Sequence, residues 1–242
     1  MNIINLGSRI VNCHLIEIDG KHIMIDTGYP GGFEKMCKRL AKNNLSLNDI
    51  DYIFLTHAHD DHAGFLGEVI NHTHAMVILH PEAKERLKMG HNKWIGGYSG
   101  RLAKAFGGLM SLLGNTKHLY PAVDIPNDRC IVTDGTVQPF IQNGINLQVV
   151  HLPGHTADSM GIYSNNTLFC GDAAMNNFPS LGRRIIWIEN LDDYRRSWNV
   201  MANLGVKTIY PSHGNPFDAS DLAKYRKGLN NVVLRTVKIP EY

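Results

Sequence analysis

The sequence is poor in cysteine and in net charge, and it contains no long apolar run. Its four cysteines form no CxxC pair and no spacing typical of a disulfide framework, so we expect free thiols in a reducing compartment. A formal net charge of +2 gives no strong positive field, which argues against nucleic acid or an anionic membrane as a partner. No window approaches the roughly 18 apolar residues of a membrane span, and no signal peptide is visible at the N-terminus. These absences favour a soluble cytoplasmic protein.

What is present is the composition of an ordinary globular protein. Hydrophobic residues make up 43% of the 242 positions and charged residues 19%, which excludes a disordered or fibrous chain. A chain of this length can build one large core, so we predict a single domain over residues 1–242.

Strand-like runs pair locally near the start and then alternate with helices. The turn Asp19-Gly20 between two β-prone runs predicts a hairpin, and apolar spacing predicts a helix from Phe33. Further strands are predicted at "YIFL", "AMVILH", "TVQPF", "INLQVVHL", "SMGIYS", "TLFCGD" and "KTIYP". Helices are predicted at "NLDDYRRSWNVMANLG" and from Asp218 to about Arg235. This order is typical of an α/β fold with at least one mixed sheet.

Residues 82–120 depart from this pattern and are predicted to form a helical insertion. A helix at "PEAKERLK" is followed by the glycine-rich stretch "MGHNKWIGGYSG". An apolar helical stripe follows, formed by Leu102, Phe106, Leu109 and Leu113. The segment could be a lid or the contact surface of a homodimer, but an ordinary core helix is the preferred interpretation.

The stretch "LTHAHDDHAG" carries the strongest chemical signal in the sequence. It places His57, His59, Asp61 and His62 directly after the predicted strand "YIFL". Sites in open α/β sheets lie at the carboxyl ends of strands, and residues two apart on an extended loop point to one side. Buried imidazoles and carboxylates without partners are costly, so packing alone does not explain the cluster. We predict that it binds metal, and its four potential ligands could serve two adjacent ions with two ligands each.

Further ligands are needed, because zinc usually takes four. Three candidates follow apolar strands at a glycine, proline or turn: His155 in "LPGHTADS", Asp172 in "LFCGDAA" and His213 in "YPSHGNPF". His155 could complete a three-histidine site, His213 could join the second pair of ligands, and Asp172 could bridge two ions. The other histidines are interpreted as ordinary residues: His14, His22, His72, His74, His80, His91, His118 and His151.

These motifs resemble those of the metallo-β-lactamase-fold hydrolases. "THAHDDH" matches the HxHxDH signature of that superfamily. "DTG" before it and "PGH", "GD" and "SHG" after it occur in the order that the superfamily shows, and the resemblance spans residues 12–214. In size the chain is similar to lactonase-like and glyoxalase II-like members. The resemblance implies an α/β fold that is a four-layer αββα sandwich of two mixed β-sheets.

The resemblance also implies how the ligands are shared between two metals. The first metal would be held by His57, His59 and His155. The second would be held by Asp61, His62 and His213, with Asp172 as the bridge. Asp26 and Thr156 are expected to support the ligand histidines through their other ring nitrogens.

The activity implied by the resemblance is that of a dinuclear zinc-dependent hydrolase. A metal-bridging hydroxide would attack a small ester, lactone or thioester. Asp61 and Asp172 are the predicted catalytic residues, since Asp61 would orient the hydroxide and carry a proton while Asp172 bridges the ions. Two zinc ions per chain are expected, with iron or manganese as alternatives, because the same ligands suit all three.

Several alternatives stay open at this point. A phosphodiesterase could use the same site, and a mononuclear iron oxidoreductase similar to persulfide dioxygenases could use part of it. A non-catalytic scaffold protein is a third class, although such relatives typically lose ligands. Asp172 argues against β-lactam hydrolysis, because zinc β-lactamases of this fold lack the bridging aspartate. The expected partner is a small-molecule substrate, without nucleic acid or membrane, and a homodimer could form through residues 90–120.

The segment after Asp172, "AAMNNFPSLGRRIIWIEN", could form one wall of a substrate pocket. Its apolar residues Met175, Phe178 and Trp187 would favour an acyl or ring group. Arg183 or Arg184 could meet an anion. We prefer the interpretation that the apolar residues lie in the core and that the arginines are solvated. Cys170 is interpreted as a buried strand residue.

Overall fold

The computed structural model describes residues 1–112 and 118–236. Its strands, in chain order, are β1 (Asn2–Asn5), β2 (His14–Ile18), β3 (Lys21–Ile25), β4 (Tyr52–Phe54), β5 (Met76–Leu79), β6 (Gly97–Tyr98), β7 (Cys130–Val132), β8 (Gln148–His151), β9 (Met160–Ser164), β10 (Thr167–Gly171), β11 (Trp187–Ile188), β12 (Thr208–Pro211) and β13 (Phe217–Asp218). Its α-helices are α1 (Phe33–Lys42), α2 (Asp60–Ala63), α3 (Leu66–His72), α4 (Pro81–Met89), α5 (Arg101–Leu112), α6 (Pro139–Gln142), α7 (Leu191–Asn203) and α8 (Ser220–Arg226). Short 3₁₀ helices lie at Leu47–Asp49, Asn127–Arg129 and Lys227–Asn231.

The chain divides into two compact units. The first contains Met1–Asn92 and His118–Val150, and the second contains the described residues of 93–117 and 151–242. The prediction of a single domain stays a prediction. Within the described ranges, no helix combines the length and the apolar character that crossing a membrane requires.

The first unit is built on a mixed sheet with the strand order β1-β2-β3-β4-β5-β7. The predicted hairpin is confirmed, because β2 and β3 pair antiparallel around Asp19 and Gly20, whose positive φ angles of 50° and 72° suit the tight turn. From β3 to β7 the strands run parallel, so their carboxyl ends meet at one edge. The predicted helix from Phe33 is confirmed as α1, which buries Met36 and Leu40 in the core of this unit.

The predicted strand at "TVQPF" is wrong. Pro139 occupies the first turn of α6, where a missing backbone N–H costs nothing. The side chain of Gln138 takes the place of a strand partner, since its amide donates to Val149 O at 3.0 Å and accepts from Val149 N at 2.7 Å. The strand next to β5 is instead β7, a run that the sequence pattern did not indicate.

In the second unit the strands pair in the order β13-β12-β10-β9. The division of the chain into units falls within β8, after Val150. Strands β10 and β12 are parallel, whereas β9 and β13 are antiparallel to their neighbours. Helix α7 buries Tyr194 and Trp198, as its predicted apolar face requires. The last helix is shorter than predicted, because α8 ends at Arg226 and Arg235 instead forms a β-bridge with Tyr98.

Helix α5 confirms the predicted helix in the insertion but not its interpretation as a core helix. Leu102 and Leu109 are 39% and 54% exposed, and Ala103 is the buried residue of the helix. The predicted stripe residue Leu113 lies outside the described residues. Tyr98 packs closely on Gly107, where a side chain would overlap the phenol ring.

Candidate metal centre

The loop after β4 brings together the four ligands predicted from the motif. His59 has an extended backbone just before α2, so the chain turns from a loop to a helix within the motif. The ring centroid of His57 lies 4.7 Å from that of His59 and 4.0 Å from that of His62. These three imidazoles are buried, and Asp61 Oδ1 lies 3.6 Å from His62 Nε2. The first unit therefore holds a compact His/Asp cluster.

Asp26 supports this cluster, as the resemblance implied. Its Oδ2 lies 2.8 Å from His62 Nδ1, and it accepts hydrogen bonds from Thr56 N and Thr56 Oγ1, each at 2.8 Å. The Thr56 hydroxyl also lies 3.1 Å from His57 Nδ1. Because the Nδ1 atoms of His57 and His62 face these partners, their Nε2 atoms point to the opposite side. The sequence reasoning missed Thr56, although its place directly before the motif was a usable signal.

The turn after β3 packs tightly against the motif. Thr27 N donates to His62 O at 2.7 Å, and Gly64 N donates to Gly28 O at 2.9 Å. A side chain at Gly64 would lie 2.4 Å from the carbonyl oxygen of Gly28, so glycine is required at the end of "HAHDDHAG". The motif thus fixes the backbone that carries its predicted ligands.

Asp60, the remaining acid of the motif, is engaged away from the ligand histidines. Its Oδ1 accepts from Asn92 Nδ2 at 2.6 Å and lies 3.2 Å from His118 Nδ1. Burial lowers the pKa of His118, but the hydrogen bond to Asp60 and the charges of Asp60 and Asp61 outweigh burial and raise it above its usual value. Sequence reasoning treated His118 as an ordinary residue, because nothing in its local pattern indicates a partner so distant in the chain.

The second unit holds the other three predicted ligands. Asp172 and His213 follow the parallel neighbours β10 and β12, so both lie at the carboxyl edge of that sheet. Asp172 Oδ2 lies 3.5 Å from His155 Nε2 and 3.4 Å from His213 Nε2. One carboxylate oxygen therefore faces two imidazoles, and these three side chains form a second His/Asp cluster.

His155 has a partner that the sequence did not reveal. Its Nδ1 lies 2.8 Å from the carbonyl oxygen of Trp187, which fixes the ring so that Nε2 faces Asp172. Thr156 does not have the supporting contact expected of it, since its hydroxyl bonds to Ser159 Oγ at 2.7 Å. Backbone carbonyls carry no sequence signal, so Trp187 could not have been identified from the motif.

The donors in both clusters fit a divalent metal. Imidazole nitrogen and carboxylate oxygen are ligands of zinc, iron and manganese. Two donors about 2.1 Å from one tetrahedral ion lie roughly 3.4 Å apart, and the His155–Asp172 and His213–Asp172 separations of 3.5 and 3.4 Å match that value. Both clusters consist of histidine and aspartate side chains, and Cys170 is a buried residue of β10.

The family described as the metallo-beta-lactamase superfamily matches residues 6–213. The chain therefore belongs to the metallo-β-lactamase superfamily, whose members are metal-dependent, and the resemblance seen in the motifs is confirmed.

Individual relatives are distant. The lactamase-like protein aptB of Emericella nidulans is 28% identical over 211 residues, which are 86% of this chain and 52% of that protein. A probable metallo-hydrolase of Methanocaldococcus jannaschii is 25% identical over 207 residues, 84% of this chain and 87% of that protein. The chain spans about half the length of aptB and of other curated relatives that it matches.

A solved structure shows the same fold. A metallo-β-lactamase from Cronobacter sakazakii with substitutions in its HARLDQ motif has a TM-score of 0.68 at 19% identity, covering 95% of this chain and 91% of that one. The predicted fold class, α/β with two mixed sheets of the metallo-β-lactamase type, is confirmed by this likeness.

Proposed function

We propose that the chain is a dinuclear zinc hydrolase acting on a small ester, lactone or thioester. The observation that carries the proposal is the position of Asp172 Oδ2, which lies within 3.5 Å of two histidine Nε2 atoms. A single carboxylate oxygen between two imidazoles is the arrangement that a bridging ligand needs. Membership of a superfamily of metal-dependent hydrolases supports the reaction class.

In this proposal the two clusters supply the ligands of both ions. The first ion would be held by His57, His59 and His155. The second would be held by Asp61, His62 and His213, and Asp172 would be shared between them. Zinc is the preferred metal for such nitrogen-rich donors, with iron or manganese as alternatives.

The chemistry divides between the metals and the protein. When bound, the two ions supply Lewis acidity and bring the pKa of water at the centre towards neutrality. Asp61 accepts the proton of the attacking water and passes it to the leaving group, a role for which its partly exposed carboxylate is accessible. Asp26, Thr56 and the Trp187 carbonyl hold the imidazoles in one orientation, so no reorganisation is needed during the reaction.

The first experiment is metal analysis of chain purified without a chelator or a metal-affinity tag. We expect about two equivalents of metal per chain and hydrolysis in a panel of esters, lactones and thioesters. Asp172→Asn should leave at most one equivalent and lower kcat/KM by at least about 100-fold, because the bridge is lost. Asp60→Asn is the matched control in the same motif and should keep both equivalents.

Other outcomes identify the alternatives. A single iron, with the second position empty after metal is added back, would contradict the hydrolase and support the mononuclear iron oxidoreductase. Two metals with turnover of phosphodiesters alone would contradict the carboxylic substrate class. A small-molecule substrate without nucleic acid or membrane, and a homodimer formed through residues 90–120, stay predictions.

A further inference from the structure

The segment 175–188 is fastened at both ends to the loops of two predicted ligands. Near its start, Asn176 N donates to His213 O at 2.8 Å. Near its end, the Trp187 carbonyl lies 2.8 Å from His155 Nδ1. A side chain at Gly214 would come within 2.0 Å of Asn176 O, so the approach depends on glycine. Both ends of this segment therefore lie next to predicted ligands.

A cavity of about 300 Å³ lies between this segment and the start of α5. The two walls are joined by a hydrogen bond from Ser99 N to Ile186 O at 2.8 Å. The wall includes the apolar side chains of Leu102, Pro179, Leu181 and Ile186. Ligand pockets start at about this volume, so the cavity suits a short chain or a single ring.

Two arginines, Arg101 and Arg184, also line the cavity, and no acidic residue does among the lining residues described. Neither guanidinium forms a salt bridge with any residue in 1–112 or 118–236. The Nη2 atom of Arg184 lies 3.9 Å from the place that a side chain at Gly100 would occupy, directly before Arg101. Two positive charges thus lie beside the N-terminus of a helix whose first turn contains no acid, which favours an anion there.

The neighbouring Arg183 is different. Its Nε and Nη2 atoms lie 2.8 and 2.7 Å from Asp221 Oδ2, and its guanidinium lies over the Phe217 ring at 5.0 Å. The carboxylate of Asp221 balances the charge of Arg183, and these contacts hold its side chain in place. Of the two arginines indicated by the sequence, Arg184 is therefore the one available to a ligand.

We propose that this cavity is a substrate subsite for a carboxylate carried on a short apolar chain or ring, with Arg101 and Arg184 binding the carboxylate. The inference rests on the proposed hydrolase and names its substrate class, an ester or lactone whose acyl group ends in a second carboxylate. Two guanidinium groups match the two oxygens of a carboxylate, and the apolar wall holds the body of the acyl group.

Direct binding tests the subsite without catalysis. Hexanoate and hexanamide are titrated into the purified metal-containing chain by calorimetry. We expect hexanoate to bind at least about tenfold more tightly than hexanamide. The preference should disappear in Arg101→Gln/Arg184→Gln and persist in Lys104→Gln, which removes a charge from the same helix. Hexanoate binding that is unchanged in the double variant would overturn the proposal, since the carboxylate would then be held elsewhere, for example by metal.

If circular dichroism shows that the double variant is unfolded, the single variant Arg101→Gln replaces it in the titration, because Arg101 is exposed. Arg101→Gln should reduce the preference for hexanoate over hexanamide at least about threefold. An unchanged preference would overturn the subsite.

A pair of esters separates this inference from the proposed function. Mono-4-nitrophenyl adipate and 4-nitrophenyl hexanoate have acyl chains of equal length and differ in the terminal carboxylate. We expect a higher kcat/KM for the adipate ester than for the hexanoate ester, and we expect the ratio of the two values to fall towards one in the double variant. Equal turnover of both esters by the natural chain would overturn the subsite but keep the hydrolase. No turnover of either ester, with arginine-dependent hexanoate binding, would overturn the ester activity and keep the subsite.

Discussion

At the scale of single residues, the proposed metal centre depends on groups outside the proposed ligand set. Asp26 is fully buried and lies within 2.8 Å of His62 Nδ1, Thr56 N and Thr56 Oγ1. A carboxylate in this place fixes the tautomer of His62 and raises the basicity of its Nε2 atom. The orientation of His62, a proposed ligand, is therefore determined by a residue 36 positions earlier in the chain.

Asp26→Asn should weaken zinc binding about 10- to 100-fold. The amide has one oxygen acceptor, so it cannot serve all three donors. The affinity is measured by competition with a chromophoric chelator, and circular dichroism checks that the variant is folded. Asp51→Asn, which removes a surface ion pair with Lys21, is the control and should bind zinc normally. Equal affinities for Asp26→Asn and the natural chain would show that Asp26 does not orient the ligand.

His14 makes stability depend on pH. Burial lowers its pKa to about 4, whereas an unfolded histidine has a pKa of about 6.5. The unfolded chain therefore takes up this proton first as the pH falls. The stabilising contribution is complete above pH 6.5 and is lost as the pH falls from 6.5 to 4, by roughly 3 kcal/mol in the free energy of unfolding.

His14→Leu should remove this part of the pH dependence. Urea unfolding of chelator-treated protein at pH 7.5 and pH 4.5 is the measurement, because metal release would otherwise add to the acid effect. The loss of stability between the two pH values should be smaller in His14→Leu than in the natural chain. His74→Gln, at an exposed position, controls for the removal of a histidine, and an equal loss in all three proteins would contradict the prediction.

The candidate ligands could be identified from the sequence, but the side chains and carbonyls that contact them only in part. The residue types and their spacing indicate metal binding. Five histidines and two aspartates at the ends of predicted strands would be costly to bury without a partner. Asp26 was identified because it belongs to a recognisable motif. The Trp187 carbonyl and the contact of His118 with Asp60 were not, because they arise from tertiary packing between residues far apart in the chain.

At the scale of elements, α7 contacts the loops of two predicted ligands. Ser197 Oγ donates to Pro153 O at 2.6 Å, and Trp198 Nε1 donates to Ala173 O at 2.8 Å. These carbonyls lie two residues before His155 and one residue after Asp172. The helix begins at Asn190, whose side chain accepts from the backbone N–H groups of Asp192 and Asp193. A change at this cap should therefore affect the ligand loops.

Asn190→Ala should lower the free energy of unfolding by about 1 kcal/mol, because two N–H groups lose their acceptor. Asn190→Asp keeps the acceptor and should recover most of the loss. Urea unfolding gives the stability. If Asn190→Ala matched the natural chain while its m-value was unchanged, the cap would contribute nothing to α7.

Elements whose turn residues or apolar spacing indicate their structure were predicted correctly. Elements whose structure depends on contacts with distant residues were not. The Asp19-Gly20 hairpin has its own turn chemistry, and α1 and α7 have clear amphipathic spacing. The strand predicted at "TVQPF" fails because a glutamine side chain replaces a backbone partner. The stripe of α5 has helical spacing but leaves Leu109 exposed, and spacing alone cannot distinguish a buried face from an exposed one.

At the scale of the whole molecule, metal binding should contribute to stability, because the seven proposed ligands come from four separate stretches of the chain. The unfolded chain cannot hold them together, so the free energy of binding adds to that of folding. At a free zinc concentration 100 times Kd, one site adds about 2.7 kcal/mol. For a chain of this size each kcal/mol raises Tm by about 2–4 °C.

Removal of metal with a chelator should therefore lower Tm by about 5–10 °C for each site lost, and added zinc should restore it. Asp172→Asn should recover less than the natural chain, because one oxygen can no longer serve both ions. Calcium, which prefers more numerous oxygen ligands, should not restore Tm and serves as the control. Because the same titration reports stoichiometry, two steps of stabilisation would support two ions with shared ligands. A Tm that does not respond to chelator or zinc would mean that the clusters are held by protein contacts alone, and the dinuclear centre would have to be abandoned.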